Sequence, residues 1–242
     1  MKVLTLRNVG PRVLLLFGIT LLMTGCGGSG DSLDIDNAKV ELAPIDVSAT
    51  GASSTNYNLW DLVDTLPYEH LSDAEFAALD FMREEEKLAR DVYRYLYDIW
   101  GSQIFTNIAD SEQTHTDAVL HLMHKYDLAD PAEGKGPGEY SDPMLQGLYD
   151  MLIAQGSASL VDALVVGATI EDLDIYDLHR QLAVVDNEDI TVVFEALQLG
   201  SRNHMRAFSS RLMDMNVVYI PVYLSQDEYD SIINSPMETG ME

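Results

Sequence analysis

Four long segments of this chain carry apolar residues at alternating steps of three and four, a spacing that lines them up on one stripe of an α-helix and obliges that stripe to be buried. The segments run from about Ser72 to Trp100, Gln103 to Tyr126, Ser159 to Val185 and Glu188 to Asp214. The first stripe is Leu79, Met82, Glu86, Ala89, Tyr93, Leu96 and Trp100, and the second Phe105, Ile108, Glu112, His115, Val119, Leu122 and Tyr126. The third is Leu160, Leu164, Gly167, Glu171, Asp174, Leu178 and Leu182, and the fourth Ile190, Phe194, Leu197, Ser201, His204 and Phe208. Each stripe is apolar at both ends and polar in the middle.

The punctuation fixes how the segments connect. Ser72 and Glu75 form a capping-box pattern, Gly101-Ser102 separates the first segment from the second, and Asp186-Asn187 offers a cap before the fourth. Between the second and third lies an irregular stretch, Asp127 to Pro143, with Pro131, Gly134, Gly136, Pro137 and Gly138, then a shorter amphipathic segment from Met144 to Ala154. One tight, one long and one tight connection make two antiparallel hairpins joined by a crossover. The expected fold is therefore all-α, an antiparallel four-helix bundle over residues 59–215 with a long crossover between its second and third helices. In the tail, residues 216–242, Val217 to Val222 reads as extended and Ser225 with Glu228 opens a last helical turn.

The N-terminus reads separately. Lys2, Arg7 and Arg12 precede the apolar run Val13 to Met23 and then Thr24-Gly25-Cys26, the anatomy of a secretory signal too short to span a bilayer. The boundary fits a lipoprotein processing site, with an ordinary signal peptide or an uncleaved anchor as alternatives. The expectation is a signal peptide over residues 1–25, a lipid on Cys26, a flexible tether over residues 26–58, and an exported lipoprotein anchored to a membrane of the cell envelope. Cys26 is the only cysteine, so no disulfide can staple the chain. Forty acidic residues against 14 Lys and Arg give a net charge of −26. That excess argues against a nucleic-acid partner and favours the approach of metal cations.

Because every break lies about halfway along its helix, antiparallel packing would bring Glu86, Glu112, His115, Glu171, Asp174, Ser201 and His204 to one level. Four carboxylates in an apolar interior would each cost several kcal/mol as bare anions, and no stripe supplies a Lys or Arg at that height. Arg90, one turn past Glu86, is placed to support a ligand, Tyr93 to bond a carboxylate through its hydroxyl, and Ser201 to serve as small-residue packing. The carboxylates are either protonated or met by cations. Four carboxylates and two imidazoles match the ligand count of a two-metal centre, with Glu112 spaced to bridge and His115 to bind one ion. The expected ligands are Glu86, Glu112, His115, Glu171, Asp174 and His204, and their donors suit two iron ions first, then manganese or zinc. Alternatives stand beside this. Glu86 could belong to a solvated run with Glu84 and Glu85. Asp174 could be a surface charge between Asp172 and Asp177, or an acceptor for an imidazole. His204 taken alone fits a hydrogen-bonded core histidine, and His70, His121, His124 and His179 fall off the stripes and read as surface residues.

The motifs Glu86-Lys-Leu-Ala-Arg90-Asp-Val-Tyr93, Ser111-Glu-Gln-Thr-His115, Glu171-Asp-Leu-Asp174-Ile-Tyr-Asp-Leu178 and Gly200-Ser-Arg-Asn-His204 together resemble the ferritin-like family known as domain of unknown function 2202, over roughly Leu79 to Met213. The first motif is also similar to the opening helix of rubrerythrins, in which the matching Glu is an iron ligand. The resemblance implies a ferritin-like bundle with Glu86, Glu112, His115 and Glu171 as ligands. Helix four departs from the rubrerythrin pattern, with Ser201 where a Glu stands three residues before the last ligand, and Asp174 restores the carboxylate count. One functional reading is a redox metalloprotein acting on oxygen, peroxide or ferrous ion; lacking a rubredoxin-type cysteine motif, it would need an external electron donor. The other is a non-catalytic exported protein that binds a divalent metal, or an envelope interaction module on a degenerate bundle. A homo-oligomer is compatible with either.

Overall fold

The Ser72 hydroxyl accepts from Glu75 N–H while the Glu75 carboxylate accepts from Ser72 N–H, and this closed capping box starts the longest helix of the protein. In the computed structural model, which describes residues 58–238 and three two-residue strands before them, the helices are α1 (Asn58–Thr65), α2 (Asp73–Trp100), α3 (Gln103–Lys125), α4 (Pro143–Gly156), α5 (Leu160–Leu182), α6 (Glu188–Asp214) and α7 (Gln226–Ile233). The strands are β1 (Lys2–Val3), β2 (Asp46–Val47), β3 (Ser53–Ser54) and, after α6, β4 (Val217–Val218). β1 pairs parallel with β4, and β2 antiparallel with β3. The protein is all-α in class. Cys26, nearly all of the signal segment and most of the tether lie outside the described residues. Among the described residues no helix is long and apolar enough to cross a membrane.

Gly101, at φ +61°, ends α2 in the left-handed conformation and turns the chain directly into α3. The contacts Arg83 to Thr116, Glu86 to His115 and Tyr93 to Phe105 run in opposite order along α2 and α3, so the two are antiparallel. Asp174 to Ser201 and Gly167 to Phe208 show the same for α5 and α6. Helix α3 also packs on α6, α2 on α5, and α4 lies against both α2 and α5.

Apolar side chains gather in two separate cores. One holds Tyr93, Leu96, Phe105, Leu164 and Phe208, and the other Leu79, Met82, Leu122, Phe194 and Leu197. Each fully buried side chain of this size contributes roughly 1.5–3 kcal/mol. The polar centres of the four stripes lie in the layer between them.

The charged run Arg83-Glu84-Glu85-Glu86-Lys87 is buried throughout, which excludes the solvated reading of Glu86. Three of these side chains pin the crossover to α2. Arg83 pairs with Asp130 at 2.9 Å, Glu84 accepts from the N–H groups of Ser141 and Asp142 at 2.5 and 2.8 Å, and Lys87 bonds Asp91, Gly136 O and Glu139 O. The segment after α6 is fastened as firmly. Asp172 of α5 accepts from the N–H groups of Val222, Tyr223 and Leu224 and from the Tyr219 hydroxyl, while Glu238 pairs with Arg202 and Arg206. Asp172, Asp174 and Asp177 are therefore buried residues and not the surface charges that their spacing allowed.

Candidate metal centre

Mid-height on α2, α3, α5 and α6, the structure brings Glu86, Glu112, His115, Glu171 and His204 together. All five are 2 % exposed or less. They form two triads that share Glu112: Glu86, Glu112 and His115 in one, Glu112, Glu171 and His204 in the other, with the ligand atoms of each within 4.8 Å of one another. Glu112 Oε2 lies 2.8 Å from His115 Nδ1, which is also 3.2 Å from Glu86 Oε2. Glu112 Oε1 lies 2.9 Å from His204 Nδ1, which is 3.4 Å from Glu171 Oε2. One carboxylate thus offers one oxygen to each triad.

Side chains around the triads hold them in place. The Tyr93 hydroxyl donates to Glu171 Oε1, fulfilling the expected carboxylate bond, and lies 3.3 Å from Gly167 O. Ser111, one turn before His115 on α3, sits 2.8 Å from His204 Nε2 and fixes that ring. The imidazoles of His115 and His204 stack with centroids 5.5 Å apart. Helix α6 reaches His115 only because residue 200 is glycine, since a Cβ there would lie 2.5 Å from His115 Nε2.

Asp174 belongs to neither triad. Its Oδ2 accepts from the Ser201 hydroxyl and its Oδ1 has no partner among the described residues, so Ser201 is a hydrogen-bonding residue and more than packing. Arg90 does not support Glu86; it bonds Asp91 and Gln113 on the outside of the α2–α3 pair. Glu85 was not foreseen as a site residue. Buried to 4 % exposure, it has no partner for either carboxylate oxygen among the described residues. Phe81, Glu85, Leu88 and Val92 form a second stripe on α2, one position off the first, and that stripe was the available signal.

The charges of the layer are strongly coupled. Burial pushes Glu86 up to about 8 in spite of the adjacent His115, and drives Glu85 and Asp174 well above the carboxylate range. Glu171 is raised by burial too. Glu112 goes the other way, because the His115 and His204 charges outweigh its burial. Burial alone would lower both histidines, but Glu112 together with Glu86 raises His115, and Glu112 together with Glu171 lifts His204 to about 9. These shifts favour a proton on Glu86, Glu85, Asp174 and Glu171 and on both histidines, and favour the anion at Glu112.

That balance leaves polar atoms unused. Among the described residues Glu86 Oε1 and His115 Nε2 have no hydrogen-bond partner, and His204 Nδ1, though close to two carboxylates, makes no directed hydrogen bond to either. Such atoms are costly when buried. A cation at the focus of each triad would satisfy His204 Nδ1 and the carboxylate oxygens together. Adjacent donors about 2.1 Å from an ion stand about 3 Å apart, and the histidine–carboxylate separations in these triads are 2.8–3.4 Å. The residues fit a pair of divalent ions.

Residues 75–236, which contain all of these side chains, match the model of the family described as "Uncharacterized protein domain (DUF2202)". The chain belongs to this family. A DUF2202 chain of this kind is similar to "Uncharacterized protein MJ0754" of Methanocaldococcus jannaschii, 51% identical over 181 residues that cover 75% of this chain and 98% of the relative. It is also similar to the crystal structure of hypothetical protein MJ0754 from Methanococcus jannaschii, with 52% identity and a TM-score of 0.71 over 72% of this chain and 99% of that one.

Proposed function

We propose that the protein is a ferritin-like four-helix-bundle protein that holds a two-metal carboxylate centre and is exported and anchored through a lipid on Cys26. The observation that carries the metal reading is Glu112, buried at the centre with one oxygen in each triad. Hard oxygen and imidazole donors favour iron, with manganese or zinc as the alternatives. Two bound iron ions would supply the capacity to exchange electrons with oxygen or peroxide.

The chain's own residues do the rest. Glu86, Glu112 and His115 would hold one ion and Glu112, Glu171 and His204 the other, with Glu112 offering one oxygen to each triad. Tyr93 holds a proton on Glu171 Oε1 and orients that carboxylate. Tyr93, Phe105 and Phe208 exclude water on one side, and the second apolar core does so on the other. Electrons would come from an external donor. The depth of the site also supports a second reading, metal binding without turnover, because no ligand is more than 2 % exposed.

The test is elemental analysis beside melting curves for the wild type and Glu112→Ala, each with and without ferrous or manganous ion under anaerobic conditions. Close to two ions per chain are expected in the wild type, with stabilisation of about 2.7 kcal/mol for each ion when free metal is a hundred times its Kd. Glu112→Ala should lose both ions. Admitting oxygen to the ferrous form separates turnover from plain binding by whether the iron oxidises faster than free ion. A wild type that takes up no metal and melts at the same temperature throughout would leave a protonated polar layer in place of a metal centre.

A further inference from the structure

We propose that a pocket between α2, α4, α5 and the segment after β4 is a third cation site, a way-station from which a divalent ion passes to the paired centre. The idea rests on the two-metal reading above. The pocket has a volume of about 10 Å³, enough for one water or one ion. Glu85, Asp174 and Thr169 line it with oxygen, Leu152 and Leu173 with apolar surface, and half-buried Tyr223 forms part of the outer wall.

Three oxygens of the carboxylates that line this pocket have no hydrogen-bond partner among the described residues: both of Glu85 and Oδ1 of Asp174. Leaving such atoms unpaired costs roughly 1–3 kcal/mol each. The Thr169 hydroxyl donates to Val165 O and lies beside the Tyr219 hydroxyl, so it adds one oxygen to the wall of the pocket. An all-oxygen donor set takes a hard divalent cation and holds it less firmly than a centre with two imidazoles. These carboxylates do not close into a third triad with ligand atoms within 4.8 Å, which suits passage over retention.

The direction of travel follows from two junctions. Asp174 lines the pocket, and its Oδ2 accepts from the Ser201 hydroxyl on α6, in the central layer. Glu85 is the chain neighbour of Glu86, whose Oε1 is likewise without a partner. Glu85 lies within electrostatic reach of Asp174 and Glu86, and Asp174 within reach of Glu86, Glu171 and Glu112, so the pocket carboxylates adjoin the triads. Asp177, one turn along α5 and 3.6 Å from the partly exposed Arg180, adds a carboxylate outside Asp174.

Manganous ion is added anaerobically to chelator-treated full-length protein, and uptake is followed as the loss of the free-ion electron paramagnetic resonance signal. Glu85→Gln should reach the wild-type stoichiometry about tenfold more slowly, the scale on which a focused charge alters capture. Its melting temperature should be at or above that of the wild type, since an unpaired buried carboxyl has been removed. If Glu85→Gln does not fold, Thr169→Val, which keeps the shape and deletes the oxygen, should show the slower uptake. Wild-type rates in these variants would overturn the way-station and leave the two-metal centre standing. A lower final stoichiometry in Glu85→Gln would also overturn it, by making Glu85 a ligand of the centre. If the wild type takes up no manganese, both readings fall.

Discussion

Gly200→Ala measures how tightly α6 is packed against the centre. In an ordinary helix interior this change stabilises by roughly 0.5–1 kcal/mol. Here the added methyl would lie 2.5 Å from His115 Nε2 and 2.8 Å from Cε1. Comfortable contact needs about 3.5 Å, so the ring must retreat by about 1 Å. It cannot retreat freely, because Nδ1 is held 2.8 Å from Glu112 and 3.2 Å from Glu86. Loosening those charge-assisted contacts costs roughly 1.5–3 kcal/mol and overpacking adds roughly 1–3 kcal/mol. Set against the helix gain, the net loss is about 2 kcal/mol or somewhat more, a fall of roughly 4–8 °C in Tm for a domain of this size. Gly147→Ala is the control. Residue 147 lies inside α4 with nothing within 4 Å of the new methyl, so it should gain roughly 0.5–1 kcal/mol. Thermal unfolding followed by circular dichroism on chelator-treated protein reads both. A Gly200→Ala protein as stable as Gly147→Ala would show that His115 does not lie against α6.

Stability without metal should fall as pH rises. Glu86, raised from 4.5 to about 8, and His204, raised from 6.5 to about 9, keep protons in the folded state that the unfolded chain has released, so Tm should drop between about pH 5 and pH 9; a flat or rising curve would contradict the charge assignment. Ser201→Ala removes the one hydrogen-bond partner that the Asp174 carboxylate has among the described residues and should cost roughly 1–3 kcal/mol by chemical denaturation, whereas a change within experimental error would return Ser201 to simple packing. Tyr93→Phe strips the hydroxyl from Glu171 and should weaken metal retention in competition with a chelator while leaving most of the stability, and unaltered retention would deny Tyr93 its orienting role. Cys26→Ser should abolish membrane partitioning of the expressed protein, and a mutant still carrying lipid label would rule out anchoring there.

Periodicity and punctuation alone determined the four long helices, their ends to within a few residues, and the polar interruptions at their centres. Those signals are local: a cap is a matter of three residues, and a stripe of one helix surface. The alternation of tight and long connections also sufficed to predict that α2 meets α3 and α5 meets α6 in opposite directions. The sequence could bring Glu112 and His115 to one level, but not assign one Glu112 oxygen to each histidine, because that depends on the rotation of α3 against α6. It could not separate Asp174 from the triads, or turn Arg90 outward to Asp91, for the same reason. The burial of Arg83, Glu84, Glu85 and Lys87 was the least legible feature. A charged run on a long helix is ordinarily solvated, and only the return of the crossover across α2, with α4 and the last segment packed beside it, covers those faces and supplies partners to all but Glu85. Local pattern determines which face of each helix is apolar; which charges are sealed within depends on what the rest of the chain lays over it.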